Sequence, residues 1–174
     1  ECGHAHKAAA VVADRYTPST GRVPVESCLP LLRDLVLSGT YDLDPMRNDF
    51  PVTLHDPCNY VRQMGIVQPQ RDILKAVLPE GRFKEMYPHG VDNYCCGGGS
   101  GFAIMNSLNF SDFRDNISSR MKLKQILDAF GPEDIYNADL VKYICAPCSN
   151  CKGTFRDMLQ HWGLTKNYNF QYSG

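Results

Sequence analysis

Apolar residues recur every three or four positions in five stretches of the chain, a spacing typical of amphipathic helices. These stretches are residues 4–16, 27–39, 73–78, 110–130 and 155–162. Glycine or proline follows or closes each stretch, as in Pro79-Glu80-Gly81 and Gly131-Pro132, and Pro30 falls in the first turn of the second, where proline is tolerated. The pattern therefore predicts five helices, the longest over residues 110–130, and it places Trp162 in the core.

Short β-branched or aromatic runs lie between the predicted helices and read as strands. They cover residues 50–55, 83–87 and 140–144. Alternation of strands and helices is typical of a parallel sheet covered by helices. We therefore predict an α/β fold, Rossmann-like, with a parallel sheet flanked by helices. In such sheets the working site lies beyond the carboxyl ends of the strands, where Cys58 and the cysteines after residue 144 would fall.

The balance of charge argues against a nucleic-acid partner. The 174 residues contain 18 Lys and Arg against 19 Asp and Glu, for a net charge of −1. No excess of basic charge is available to neutralise a phosphate backbone. The chain has no run of 18 apolar residues, and it opens on Glu1-Cys2-Gly3-His4 without an initiating Met. We expect a fragment of a larger subunit in a cytoplasmic setting.

Eight cysteines are the main chemical signal of the sequence. Disulfide frameworks serve small domains that cannot build a core, whereas 43% hydrophobic content over this length allows one. The cysteines are also bunched, as Cys95-Cys96 and as Cys145, Cys148 and Cys151, and neighbouring cysteines bridge only with strain. Bunching of this kind favours metal ligation in a reducing compartment.

Two kinds of metal site compete for these cysteines. A structural zinc commonly uses paired Cys-x₂₋₄-Cys ligands. The side chains of the adjacent Cys95 and Cys96 would both have to bend towards one small ion, whereas a cluster of irons offers each cysteine a separate atom. Cys145, Cys148 and Cys151 match three positions of a bacterial ferredoxin run, and the fourth position is Phe155. Further ligands must therefore come from elsewhere in the chain. A metal-free dithiol enzyme also stays open.

Three separated motifs resemble the cysteine-rich (CCG) domain of the heterodisulfide reductase family. They are His55-Asp56-Pro57-Cys58, Asn93-Tyr94-Cys95-Cys96-Gly97-Gly98-Gly99 and Cys148-Ser149-Asn150-Cys151. The order matches, with 36 residues between Cys58 and Cys95, and the likeness runs from about Pro51 to Trp162. The residues of these motifs, together with Glu1-Cys2-Gly3-His4-Ala5-His6, are most similar to those in subunits of the membrane-bound sulfite-reduction complex of sulfate reducers.

The resemblance implies a cofactor and a set of ligands. It implies a noncubane [4Fe–4S] cluster held by five cysteines that also form the catalytic centre: Cys58, Cys95, Cys96, Cys148 and Cys151. Cys145 is a reserve candidate for a ligand, because Cys145 and Cys148 form a second Cys-x-x-Cys pair that overlaps with the first. Residues 51–174 would form the cluster-binding domain, and residues 1–50 the end of a preceding half-domain with connecting helices.

The family also implies an activity and partners. The expected reaction is reduction of a disulfide or trisulfide, with a small sulfur-carrier protein or a thiol/disulfide compound as substrate. Electrons would come from other subunits of a quinone-linked membrane complex, to which this chain would be peripheral.

Several residues have weaker claims. Gly97, Gly98 and Gly99 follow two cysteines directly, and residues without Cβ let backbone N–H groups approach cluster sulfurs. Cys2, His4 and His6 form a metal or proton-transfer site, line a substrate pocket, or only begin a helix with solvated histidines. His55 either orients Cys58 or ends a strand. Cys28 reads as a small buried residue, and His89 and His161 have ordinary roles.

Overall fold

The computed structural model describes residues 3–21, 23–99 and 113–174. Its centre is a sheet of four parallel strands in the order β2-β1-β3-β4. The strands are β1 (Val52–Leu54), β2 (Phe83–Lys84), β3 (Lys142–Cys145) and β4 (Phe170–Ser173). The predicted parallel sheet flanked by helices is confirmed. The predicted strand over residues 83–87 shortens to two residues, and β4 was not foreseen.

Seven α-helices lie within the described residues. They are α1 (Gly3–Tyr16), α2 (Cys28–Leu37), α3 (Cys58–Met64), α4 (Pro69–Val77), α5 (Arg120–Ile135), α6 (Ser149–His161) and α7 (Leu164–Tyr168). Ser27 caps α2 by accepting a hydrogen bond from the backbone N–H of Leu29 at 3.2 Å, as an N-cap serine does. No helix in the described ranges has both the length and the apolar content needed to cross a membrane.

The predicted long helix differs from the structure in its phase and in its end. Residue 110 lies outside the described residues, and a π-helical turn over Arg114–Ser118 precedes α5. The extra residue in a π-helical turn rotates the apolar stripe by about 100° about the helix axis. As a result, Ile117 and Met121 are exposed, whereas Ile126 and Phe130 are buried. The expected stop at residues 131–132 is a kink at Gly131, whose φ is +77°, and the helix continues to Ile135.

Large apolar side chains from the sheet and from α5 and α6 form the core. Phe130 of α5 meets Phe170 of β4 edge to face, with ring centroids 5.4 Å apart. Trp162 is 46% exposed, so the prediction that it belongs to the core is wrong. It lies just beyond α6, and its indole N–H donates to the carbonyl of Asp115 at 3.1 Å, which leaves part of the ring in solvent.

A buried ion pair ties the loop after β1 to α4. The guanidinium of Arg71 donates to both carboxylate oxygens of Asp56, at 2.8 and 2.5 Å, and to Glu85 at 2.8 and 3.0 Å. The Asp56 side chain is fully buried and also accepts from the backbone N–H of Gly90 at 2.6 Å. A bidentate pair of this kind holds three chain segments in one geometry.

Removal of Arg71 should therefore be costly. We expect Arg71→Met to lower the free energy of unfolding by about 3–5 kcal/mol, because the carboxylate of Asp56 stays buried without its cation. Urea denaturation followed by circular dichroism measures the change.

The matched control is Arg82→Met. Arg82 pairs with Asp49 at the surface, at 2.6 Å, so its loss should cost less than about 1 kcal/mol. Equal losses for the two variants would contradict a special role for the buried pair.

Candidate metal centre

Parallel pairing of β1 and β3 brings distant cysteines to one edge of the sheet. Leu54 pairs with Cys145 at the carboxyl ends of the two strands, and the backbone N–H of His55 donates to the carbonyl of Cys145 at 2.9 Å. The chain after β1 enters α3 at Cys58. The chain after β3 reaches Cys148, which caps α6. The two segments therefore leave the sheet side by side.

The five cysteines implied by the resemblance line one cavity. The centres of water-sized molecules can occupy about 20 Å³ of it. The lining residues are His4, Pro57, Cys58, Asn59, Cys95, Cys96, Gly99, Cys148, Asn150 and Cys151. Three chain segments that are distant in sequence thus meet around one space.

Neighbouring thiols of the five are close enough to shift one another's pKa values. The interacting pairs are Cys58 with Cys95, Cys95 with Cys96, Cys96 with Cys151, and Cys151 with Cys148. All five are free cysteines. An array of adjacent free sulfurs is the donor set of an iron–sulfur cluster or of another thiophilic metal.

Two of the five cysteines are stabilised as thiolates. Hydrogen bonds from Cys58 and Cys96 hold the pKa of Cys95 well below its ordinary value. The pKa of Cys148 falls to about 5, first because Cys151 donates to its sulfur and then because backbone N–H groups of Cys151, Asn150 and Gly3 do. Two of those N–H groups belong to the first turn of α6, where a helix favours negative charge.

The pKa values of the other three cysteines are raised. A hydrogen bond to Cys95 raises the pKa of Cys58, and a hydrogen bond to Cys148 raises the pKa of Cys151. For Cys96 the bond to Cys151 lowers the pKa, but the bond to Cys95 and burial outweigh it and bring the pKa to about 11. Metal ions displace such protons, since the thiolate is the ligand.

The glycines after Cys96 fit tightly against the centre. The N–H of Gly97 donates to the sulfur of Cys95 at 3.4 Å, and the N–H of Gly98 donates to Cys96 at 3.5 Å. Gly97 has φ +84°, and a Cβ on it would lie 2.5 Å from the backbone of Ser118. A Cβ on Gly98 would lie 1.9 Å from Oγ1 of Thr154. Neither position has room for a side chain.

The sequence did not reveal a buried polar layer behind the cysteines. Nε2 of His55 lies 3.3 Å from the sulfur of Cys151, so His55 contacts Cys151 and not the expected Cys58. Nδ1 of His55 lies 3.3 Å from Nδ2 of Asn93, whose Oδ1 accepts from Lys122 at 2.6 Å. The only hint in the sequence was that Asn93 belongs to the Asn-Tyr-Cys-Cys motif.

The two histidines of α1, His4 and His6, lie in different surroundings. His4 lines the cavity, and Nδ2 of Asn59 lies 3.1 Å from both of its ring nitrogens. His6 is buried, and Cys2 lies outside the described residues. A Cβ on Gly3 would lie 2.7 Å from Cβ of Asn59, which shows how closely α1 approaches α3.

Two further cysteines lie elsewhere. Cys145, the reserve ligand, lines a separate apolar groove with Phe50, Leu74 and Tyr143, because side chains alternate along β3 and place Cys145 on the face of Tyr143. Burial raises its pKa to about 11, which disfavours the thiolate. Cys28 begins α2 and is exposed, so the prediction that it is buried is wrong.

Smaller sets of donors within the described residues could in principle hold a single ion. Nε2 of His55 and the sulfurs of Cys96 and Cys151 all lie within 4.8 Å of one another. Asp56, Glu85 and His89 form a second group, but both carboxylates already bind Arg71. The first group shares Cys96 and Cys151 with the thiol-lined cavity, and the carboxylates of the second group are already paired. The cavity is therefore the stronger metal site.

Comparison with known proteins agrees with this geometry. The sequence profile of the cysteine-rich domain family named CCG matches residues 52–156, which include all five cysteines of the cavity. No solved structure matches the chain significantly.

Two similar proteins come from archaea. An Hdr-like menaquinol oxidoreductase iron–sulfur subunit of Archaeoglobus profundus is 28% identical over 139 residues, which are 78% of this chain and 23% of that protein. An Hdr-like menaquinol oxidoreductase iron–sulfur subunit 2 of Archaeoglobus fulgidus is 29% identical over 125 residues, 70% of this chain and 20% of that protein. The chain thus spans less than a quarter of either relative. The match over residues 52–156 shows that the chain belongs to the cysteine-rich CCG domain family.

Proposed function

We propose that this chain holds a redox-active iron–sulfur cluster on Cys58, Cys95, Cys96, Cys148 and Cys151. The observation that carries the proposal is the single cavity that these five side chains line, in which neighbouring thiols shift one another's pKa values. The similar archaeal proteins are named as iron–sulfur subunits, which supports the same cofactor.

The donor set fits a [4Fe–4S] cluster of the noncubane type. A cubane usually takes four thiolates, whereas five line this cavity. Cys95 and Cys96 are adjacent in sequence and both are free thiols that line the cavity, so they suit a group whose iron atoms are distinct. The N–H groups of Gly97 and Gly98 supply hydrogen bonds to the sulfurs, which in our proposal makes these glycines, with Gly99, the lining of the cluster.

A single zinc ion is the second candidate. His55, Cys96 and Cys151 lie close enough together to form three of the four ligands of a tetrahedral site. Such a site would leave the thiolates Cys95 and Cys148 without a metal, although both have lowered pKa values. The cluster uses all five sulfurs and is the better account.

We further propose that the chain is the catalytic part of a subunit related to heterodisulfide reductase. Residues 51–174 would be the cluster-binding domain, and residues 1–50 the end of a preceding half-domain. The subunit would be cytoplasmic and would bind the membrane through partner subunits. The archaeal relatives are named as menaquinol oxidoreductase subunits, which supports a quinone-linked complex as the electron partner. Within the family, we propose that the chain corresponds to the K subunit of the sulfite-reduction complex.

The proposed reaction is reduction of a disulfide or trisulfide of a thiol compound or a small sulfur-carrier protein. A disulfide takes two electrons and two protons and gives two thiols, and the cluster would supply electrons one at a time. The chain's own residues shape the entrance. His4 lies at the cavity beside Cys58 and Cys148, and Asn59 holds its ring, so these two residues would contact a sulfur substrate that enters there.

Chemical analysis of the chain tests the proposed cofactor. Anaerobic preparation with full cluster-assembly capacity should give about four iron and four acid-labile sulfide per chain. Cys96→Ser should lose most of this iron and the cluster's electron paramagnetic resonance signal, because Cys96 lies in the middle of the row of sulfurs.

Cys145→Ser is the matched control, since its side chain lies in the other groove, and it should keep the wild-type iron content. Stoichiometric zinc without sulfide would favour the zinc site. Disulfide reduction that survives complete iron removal would favour a metal-free dithiol enzyme. Either result contradicts the proposal.

The glycine turn should be sensitive to one methyl group. We expect Gly97→Ala to lose the cluster and to destabilise the fold. A positive φ alone costs an L-residue ~1–2 kcal/mol, and the loss should be larger here because the added Cβ would clash with the backbone of Ser118. Iron content and urea denaturation measure both effects.

Gly81→Ala separates the cost of a positive φ from the cost of the steric clash. Gly81 has φ +80°, but no atom lies within 4 Å of the place that a Cβ would take, so only the conformational cost applies there. Gly81→Ala should retain its iron. A Gly97→Ala chain with wild-type iron content would show that close packing at this turn does not matter to the centre.

A further inference from the structure

Three polar residues that the proposed reaction does not use lie behind the cavity. His55, Asn93 and Lys122 are 1%, 2% and 0% exposed. They come from the end of β1, from the loop before Cys95 and from α5. Within the part of the chain that the structure describes, their hydrogen-bond contact with the cysteines is that of His55 with Cys151. Burial of three polar groups in a row costs free energy unless each is satisfied, so the direction of their hydrogen bonds is constrained.

The amide of Asn93 is fixed from two sides. Its Oδ1 accepts from the ammonium of Lys122 at 2.6 Å, and Nδ2 donates to the backbone carbonyl of Asp56 at 2.9 Å. An ammonium can only donate and a carbonyl can only accept. Both contacts therefore require the same orientation of the amide, with its N–H₂ group towards Asp56 and His55.

The orientation of Asn93 determines the tautomer of His55. The second N–H of Nδ2 points at Nδ1 of His55, 3.3 Å away, so Nδ1 must accept. A neutral imidazole with an accepting Nδ1 carries its proton on Nε2. Because Nδ1 faces a donor and carries no proton, the ring is neutral. The Nε2–H then faces the sulfur of Cys151 at 3.3 Å.

We propose that Lys122, Asn93 and His55 form a directed hydrogen-bond chain that makes His55 a donor to the sulfur of Cys151 and places the Lys122 ammonium behind the metal centre. This inference rests on the proposed function and assigns His55 as a positioning residue. A histidine that binds a metal through Nε2 needs an acceptor for its Nδ1–H, whereas here Nδ1 meets a donor. His55 is therefore not a ligand.

The chain would tune the cluster. Hydrogen bonds to cluster sulfurs and nearby positive charge both stabilise the more negative, reduced state, and so they raise the reduction potential. Lys122 is held for this role by three contacts, with Asn93, with Oε1 of Gln125 and with the sulfur of Met86 at 3.6 Å. Burial lowers the pKa of Lys122 to about 7, while Asp56 and then Cys96, Cys151 and Cys95 act to raise it.

The tautomer can be measured without any metal. In the full chain, reduced and metal-free, nitrogen-15 NMR of the histidine rings should show His55 neutral with its proton on Nε2, and His55→Gln assigns the signal. Asn93→Asp should move the proton to Nδ1, since a carboxylate accepts where the amide donated. A proton on Nδ1 in the wild type overturns the inference, whatever the outcome of the iron analysis.

The effect on the centre is measured in the iron-loaded chain. Potentiometric titration below pH 7, where the Lys122 side chain is charged, followed by electron paramagnetic resonance should give a more negative midpoint potential for Lys122→Met than for the wild type. The control is Lys124→Met, which removes an equal charge from α5 where Lys124 pairs with Asp128 in solvent, and it should leave the potential unchanged.

The two proposals fail in different ways. A chain that binds no iron but shows the Nε2–H tautomer would contradict the proposed function and keep the directed chain. A loaded Lys122→Met chain with the wild-type potential would contradict the tuning role and leave the cluster proposal intact. Should Lys122→Met not fold, Asn93→Asp provides the same titration, and an unchanged potential there would equally contradict the tuning role.

Discussion

The parallel pairing of β1 with β3 is the contact on which the rest of the site depends. It brings the segments that carry Cys58 and Cys148 to the same edge of the sheet, although the two cysteines are far apart in sequence. Gathering thiols in this way raises an electrostatic difficulty, because thiolates repel one another in a buried space. Backbone N–H groups from α6 and from the glycine turn offset part of this repulsion, and only Cys95 and Cys148 of the five have lowered pKa values.

A single aspartate links the stability of the fold to the geometry of the site. The carboxylate of Asp56 binds Arg71 and the N–H of Gly90, and its backbone carbonyl accepts from Asn93. Gly90 begins the 3₁₀ turn that leads towards Cys95, and Arg62 of α3 binds the carbonyl of Asn93. The loop that carries the vicinal cysteines is therefore anchored by buried hydrogen bonds at several points before it reaches the cavity.

The two faces of the site have different characters. Towards the interior, His55, Asn93 and Lys122 form a buried polar layer. Towards the surface, α1 brings His4 to the rim, where Cys95 is exposed and Cys58 is partly exposed. A redox centre needs both, because a buried side fixes its electrostatics and an open side admits a reacting partner. The close packing of Gly3 on Asn59 makes α1 part of this rim.

The sequence by itself determined the fold class and the candidate ligands. Alternating periodicities indicated a parallel sheet with helices, and the bunched cysteines with Gly97 indicated a metal centre, because these signals are local to the chain. The observed bounds of α1 and α2 lie within two residues of those predicted from the spacing of apolar residues.

Only the tertiary structure decided which groups meet. Cys145 is separated from the cavity by the alternation of side chains along β3, which cysteine spacing does not reveal. The π-helical turn shifted the apolar face of α5, and so it was Lys122, not Met121, that turned inward. The partners of His55 lie 38 and 96 residues away in sequence. Hydrogen bonds over such separations are set by the packing of whole elements, and a linear pattern carries no record of them.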